Sequence, residues 1–330
     1  GIPEGQEAYD AACELADAGC NFVFADSFGH EDYIIEAARE FPDVQFCHAT
    51  GTKAHTEGLD NFHNAFASIY EGRYLAGIAA GMKLNEMIKA GKIKAEEAVI
   101  GYVGAYTYAE VISGMTSFFL GARSVCETAT MKVRYTGSWY DQGKEQEAAT
   151  ALIEKDKCVL ISQHADSLGA PTACELAGVP NVSYNGSTYS AGKNTFIVSS
   201  AINWAPYFQY IIECAVKGQA IDSDWCGDIA TNSVVLSGIN EGVAAEGTEA
   251  KMKEAIDAFK AGTLKVFATD KFTVEGKKLD QYLADVDGDF KGETNVVHDG
   301  YFDESNAKDF RSAPYFDIII DGVTNLNKEV

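Results

Sequence analysis

The sequence predicts an α/β protein in which parallel strands and helices build two layered lobes. Three observations carry this expectation. Short apolar stretches alternate with helical patterns of about a dozen residues. The links between them are short, which suits parallel strands joined by right-handed crossovers. A length of 330 residues, 46% of them apolar, gives two domains enough material for separate cores.

Taken in order, residues 7–18 have helical spacing and stop at Gly19, a residue suited to helix ends. Residues 21–25 form a short apolar strand, 30–40 a helix halted before Pro42, and 44–47 a second strand. Residues 70–90 form a long helix in which Ala76, Gly77, Ala80 and Gly81 permit close packing. The alternation continues with strand 98–103, helix 109–122, strand 131–135, helix 143–155, strand 158–162 and helix 169–177. Strands 182–184 and 196–199 follow, then helices 204–217 and 249–261. From about Leu264 the pattern changes to short strands and polar turns such as Val286-Asp287-Gly288-Asp289. No linker separates the lobes, which fits a chain that crosses between them more than once.

Charge excludes some partners. The 26 Lys and Arg face 49 Asp and Glu, a net −23 that repels phosphate backbones and anionic lipids. No apolar run approaches the roughly 20 residues of a membrane helix. The chain opens on Gly1-Ile2-Pro3-Glu4 rather than on a secretory leader. Eight cysteines form no CxxC pair and no zinc spacing, so they read as free, mostly buried thiols suited to a reducing or anaerobic habitat.

Ligands of open parallel sheets bind beyond the carboxyl ends of the strands, so the residues just after each strand are the candidates. They run from Asp26 to His30, His48 to Gly51, Ala105 to Tyr108 and Gly137 to Asp141. The second half adds Gln163 to Ser167, Asn185 to Ser187, and Asn203 with Trp204. Aromatic rings and uncharged or acidic hydrogen-bonding groups recur, while Lys and Arg are scarce. Such a set suits a planar heterocycle or a polyhydroxylated sugar and disfavours a phosphorylated ligand. Asp26, Thr50, Asp141 and Ser167 read equally as helix caps, His48 as a structural histidine and Trp204 as core filling. His164 with Asp166, near Trp139, is the leading ligand-contact pair.

The motifs together resemble the basic membrane protein family of substrate-binding lipoproteins of ABC importers, which includes purine nucleoside receptors. The resemblance rests on Asp26-Ser27-Phe28-Gly29-His30, Phe41 through Phe46, His48-Ala49-Thr50-Gly51, Tyr70 through Gly77 and Glu110 through Gly114. It continues through Leu120 to Val125, Trp139-Tyr140-Asp141, Gln163-His164-Ala165-Asp166-Ser167 and Asn203-Trp204-Ala205-Pro206-Tyr207. It implies a type I periplasmic-binding-protein fold: two Rossmann-like lobes with parallel sheets, joined by several hinge crossovers and closing on ligand. It further implies no catalysis, no cofactor or metal, a monomer outside the cytoplasm, and a membrane permease as partner. The Trp and the Gln-His-x-Asp-Ser run resemble the branch that binds free purine bases such as adenine. Nucleoside-binding members carry Asp in the turn that here reads Tyr184-Asn185-Gly186, and Lys near Asn203; neither is present.

The expected ligand contacts are Phe28, His48, Trp139, His164, Asp166, Asn185, Asn203 and Trp204. Lobe I is expected to comprise residues 1–104 and about 203–262, lobe II residues 105–202 and about 263–330. The family's first strand–helix unit is not found in the sequence, which starts at what resembles the second helix. Two alternatives carry less. A His48, His164 and Asp166 enzyme site lacks HExxH, GxSxG or a phosphate loop, and a regulator would need a basic helix-turn-helix, which is absent. Asp285-x-Asp287-Gly288-Asp289 fails the calcium-loop pattern, because Gly stands fourth and Val296 twelfth; it reads as a polar turn.

Overall fold

The computed structural model describes residues 1–304 and 306–327. In chain order the strands are β1 (Phe22–Ala25), β2 (Gln45–Ala49), β3 (Phe62–Ala67), β4 (Val99–Gly104) and β5 (Thr130–Tyr135). Then come β6 (Leu160–His164), β7 (Asn181–Tyr184), β8 (Phe196–Ile202), β9 (Asp224–Gly227) and β10 (Val234–Leu236). The helices are α1 (Gln6–Asp17), α2 (Glu31–Glu40), α3 (Ala54–Glu57), α4 (Ile69–Lys89) and α5 (Ala109–Arg123). They are followed by α6 (Gln142–Glu154), α7 (Gly169–Ala177), α8 (Ala205–Lys217) and α9 (Thr248–Lys260). No helix among the described residues is long and apolar enough to cross a membrane.

Two sheets result. One has four parallel strands in the order β1-β2-β3-β9. The other has seven, in the order β10-β8-β7-β6-β4-β5 and a last strand at Val323–Asn325. Within it only β10 runs antiparallel to its neighbour. The α/β class with parallel sheets is as expected.

The expected division between lobes needs correction. Helix α4 packs along α5 and against β8, and β4 pairs with β5 and β6, so residues 69–104 belong to the seven-stranded side. Close backbone contact fixes this choice. A Cβ on Gly77 would lie 2.0 Å from the Phe118 carbonyl oxygen, and one on Gly121 2.0 Å from that of Tyr74. Likewise β10 pairs with β8 and α9 packs on α4, which draws most of 229–262 to the same side. The chain therefore leaves the four-stranded sheet after β3, returns after β8 and leaves again after β9.

Strand β3 escaped the sequence because His63 and Asn64 interrupt its apolar run. Both are buried and bonded: His63 Nε2 to Gln45 Oε1 at 2.8 Å, and the Ala54 amide to Asn64 Oδ1 at 2.8 Å. The C-terminal segment packs as an aromatic cluster, with Phe267 stacked on Phe316 at 4.3 Å and against Tyr70 at 5.4 Å. It ends as the strand beside β5 and also touches the four-stranded side, where the Ser312 amide donates to Asp224 Oδ1 at 2.6 Å. The eight cysteines are free thiols, five of them buried.

Candidate functional site

The carboxyl ends of strands from both sheets meet around a cavity of about 270 Å³. From the four-stranded side come Asp26, Ser27 and Phe28 after β1, Ala49 and Thr50 at the end of β2, and Phe66 of β3. The seven-stranded side supplies Glu110 in the first turn of α5 and Trp139 after β5. It adds His164 and Asp166 at the end of β6, Tyr184 and Asn185 at the end of β7, and Ile202 of β8. Trp204, the residue before α8, stands where the chain passes back between the sheets.

Six of the eight expected residues line this cavity: Phe28, Trp139, His164, Asp166, Asn185 and Trp204. Two do not. His48 points into the protein, fully buried, its Nε2 donating to the Ser27 carbonyl at 2.7 Å. Burial holds its pKa below the usual histidine value, partly offset by Glu31. It fixes the turn that carries Phe28. Asn203 is turned to the chain crossings: its Nδ2 donates to the Asn232 carbonyl at 2.9 Å and its Oδ1 accepts the Ala205 amide at 3.2 Å. Of the four suspected caps, Asp141 accepts the Lys144 amide at 3.0 Å and Ser167 the Gly169 amide at 3.0 Å. Asp26 and Thr50 instead face the cavity, Thr50 with a left-handed φ of 68°.

A row of rings crosses the site. Phe28 stacks on Tyr108 at 4.9 Å, Tyr108 on Tyr106 at 4.9 Å, and Tyr106 meets Trp139 edge-on at 5.0 Å. His164 lies 4.2 Å from the ring of Tyr184 and 6.4 Å from Trp139. The row begins on one sheet and ends on the other, and aromatic pairs of this kind add about 0.5–1.5 kcal/mol each beyond simple burial.

The polar groups are three carboxylates, Asp26, Glu110 and Asp166, with His164 and Asn185; no Lys or Arg among the described residues lines the cavity. His164 Nε2 is 3.5 Å from Glu110 Oε1, while its Nδ1 is buried against Gly114 without a partner among the described residues. The Asp166 amide donates to the Trp139 carbonyl at 2.8 Å, tying the two strand ends. Its carboxylate opens to solvent through the cleft but is crowded elsewhere. Desolvation raises its pKa above the usual carboxylate value, with His164 and Asn185 pulling it back. Glu110 and Tyr184 were missed by the sequence reading. Glu110 sits inside a helix rather than just past a strand, and Tyr184 ends a strand as an apparent core residue.

Beneath the site, Arg73 of α4 is fully buried. It donates to the Ser183 carbonyl at 3.1 Å, Tyr102 Oη at 3.0 Å and Ser162 Oγ at 3.0 Å, and its guanidinium lies 5.2 Å from the Tyr184 ring centre. Among the described residues, the only three His, Cys, Asp or Glu side chains grouped to share one ion are Asp285, Asp287 and Asp289. They belong to the tail turn, where Asp285 accepts the Gly288 and Phe290 amides. The cavity itself presents aromatic faces beside carboxylate, amide and imidazole groups.

Comparison with known proteins places this geometry. A Brucella abortus purine-binding protein is 35% identical over 207 residues, covering 63% of this chain and 55% of its own length. A Haloferax volcanii protein named for a proposed glucose-binding role in an ABC transporter is 34% identical over 215 residues, 65% of this chain and 51% of its own. The chain thus spans about half the length of these curated relatives. An ABC transporter solute-binding protein from Conexibacter woesei shares the fold with a TM-score of 0.62. Its identity is 22%, over 79% of this chain and 84% of that one. The family model of PnrA-like ABC transporter substrate-binding proteins matches residues 4–258, and the chain belongs to that Bmp family.

Proposed function

We propose that this chain is an extracytoplasmic receptor that captures a purine ring in the cavity between its two sheets and delivers it to an ABC permease. The observation that carries the reading is the lining itself: aromatic faces from Phe28, Trp139 and Trp204, acceptors from Asp26, Glu110 and Asp166, and no Lys or Arg among the described residues. A purine offers a flat π face to stack and ring N–H or amino donors to carboxylates. Phosphorylated purines are rejected, because their charge meets three carboxylates and, among the described residues, no Lys or Arg.

Affinity arises mainly from stacking and desolvation, while Asp166 and His164 orient the polar edge. Rings contributed by both sheets make the binding energy depend on the cleft being closed, so ligand shifts the population towards the closed form. The permease then reads that form. The name of the Brucella relative supports a purine, and that of the Haloferax relative brings glucose into the test.

The experiment is thermal unfolding against a panel of adenine, guanine, nucleosides, nucleotides and glucose. A ligand at a hundred times its Kd stabilises the native state by about 2.7 kcal/mol, a shift of several degrees in Tm. Stabilisation by a purine without phosphate is the expected result. Stabilisation by glucose alone, or by none of the panel, overturns the reading.

A further inference from the structure

Arg73 is a buried cation without an ion-pair partner. It is 0% exposed, and its three acceptors, the Ser183 carbonyl, Tyr102 Oη and Ser162 Oγ, are uncharged. None of the ion pairs among the described residues includes it. Rings supply part of its surroundings, with the centres of Phe118, Tyr184 and Tyr102 at 5.0, 5.2 and 5.6 Å from the guanidinium carbon. A buried charge with no opposite charge is strongly destabilising, so the offsetting charges lie one layer further out.

That layer is the cavity. Tyr184 meets Arg73 and also lines the cavity, and its ring lies 4.2 Å from that of His164, whose Nε2 is 3.5 Å from Glu110 Oε1. A Cβ built on Gly114 of α5 would stand 3.1 Å from His164 Nδ1 and 3.7 Å from Arg73 Cγ, so the arginine stem and the histidine meet at one point of that helix. Both signs of charge reach the Tyr184 hydroxyl: burial, Glu110 and Asp166 push its pKa up, and Arg73 pulls it back. The titratable groups around Arg73 are thus Tyr102 from β4, Glu110 from α5, His164 and Asp166 at the end of β6 and Tyr184 from β7, with Asp26 across the cavity.

We propose that Arg73 is a specificity-determining residue: its fixed positive charge, set behind Tyr184 and His164, offsets the cavity carboxylates, so that the site takes an uncharged purine in preference to a cationic one. The inference rests on the purine reading above. Without that charge, three carboxylates and no Lys or Arg among the described lining residues favour a positively charged ring. Arg73 does not touch the guest and acts through its field. A unit charge about 10 Å away, at the effective dielectric of about 20 that suits protein sites, changes affinity by about tenfold.

Calorimetric titration with 9-methyladenine, which is neutral, and 1,9-dimethyladenine, which is protonated at neutral pH, tests this. The wild type is expected to bind the neutral base at least as tightly as the cation. In Arg73→Met, which keeps a stem and removes the charge, the cation-to-neutral affinity ratio rises about tenfold. Arg73→Lys, which keeps the charge and loses the fork, restores the wild-type ratio. Taking a ratio cancels any general loosening beneath the cavity, and urea melts check that each variant folds. An Arg73→Met ratio equal to that of the wild type makes the residue structural only and overturns the inference while the purine reading stands. The wild type alone also decides: a cation bound more than about tenfold tighter than the neutral base overturns the inference whether or not the variants fold. Binding of neither base overturns the purine reading, and this inference with it.

Discussion

Trp139→Ala removes the largest ring that the seven-stranded side presents to the cavity. Its backbone role survives, because the bond to the Asp166 amide is made by the Trp139 carbonyl. Its ring is half-buried and meets Tyr106 at 5.0 Å and Tyr108 at 6.0 Å, so the truncation opens the cavity wall more than the core. Loss of one base-stacking ring costs about 1–3 kcal/mol, which is roughly a fivefold to 150-fold rise in Kd. Calorimetric titration with adenine reads this directly, and a urea melt of the same sample checks the fold. Trp139→Phe should recover most of the affinity. Adenine binding by a folded Trp139→Ala protein within about twofold of wild type would refute the stacking argument.

Other expectations concern the scaffold. Burial raises the carboxyl of Glu304 from 4.5 to about 8, with Ser113, Arg311 and the Tyr315 and Phe316 backbone pulling it back. Between those pH values the folded state holds the proton that the unfolded chain has released, so stability falls as pH rises, by roughly 3–5 kcal/mol in all. Glu304→Gln should flatten that fall in urea midpoints measured from pH 5 to pH 8; an equally steep fall in the variant would contradict it. Gly121→Ala sets a methyl against the Tyr74 carbonyl and should destabilise by about 1–3 kcal/mol or more, and an unchanged melting temperature would show that α4 and α5 can separate freely. Arg73→Ala leaves three buried acceptors without a donor, each bond worth about 1 kcal/mol. A loss near 3 kcal/mol in chemical denaturation is expected, and a neutral result would mean that those groups find other partners.

The alternating pattern was legible because a parallel strand buried on both faces reads as a short apolar run and its crossover helix as a periodic one. The rule that ligands meet strand ends then pointed to Phe28, Trp139, His164, Asp166, Asn185 and Trp204, all of which line the cavity between the sheets. His48 and Asn203 lie off the cavity lining, because position after a strand does not say which way a side chain turns. Both are held inward or sideways by hydrogen bonds to distant backbone. The allocation of α4 and β4 was also hidden. Alternation shows that a helix follows a strand, not which sheet the helix covers, and the Gly77 and Gly121 approaches that decide it join segments more than forty residues apart. The C-terminal segment was least legible, since its cluster of Phe267, Phe302 and Phe316 is assembled from turns and short hairpins with no periodicity to read.

The central claim is that strand tips of two sheets converge to hold one flat, unphosphorylated ring. A crystal structure of the protein grown with adenine tests it most directly. The account predicts a ring seated against Trp139 and Trp204, its polar edge within hydrogen-bond reach of Asp166. Density for adenine elsewhere, or a cavity left free of it at saturating concentration, would contradict the account.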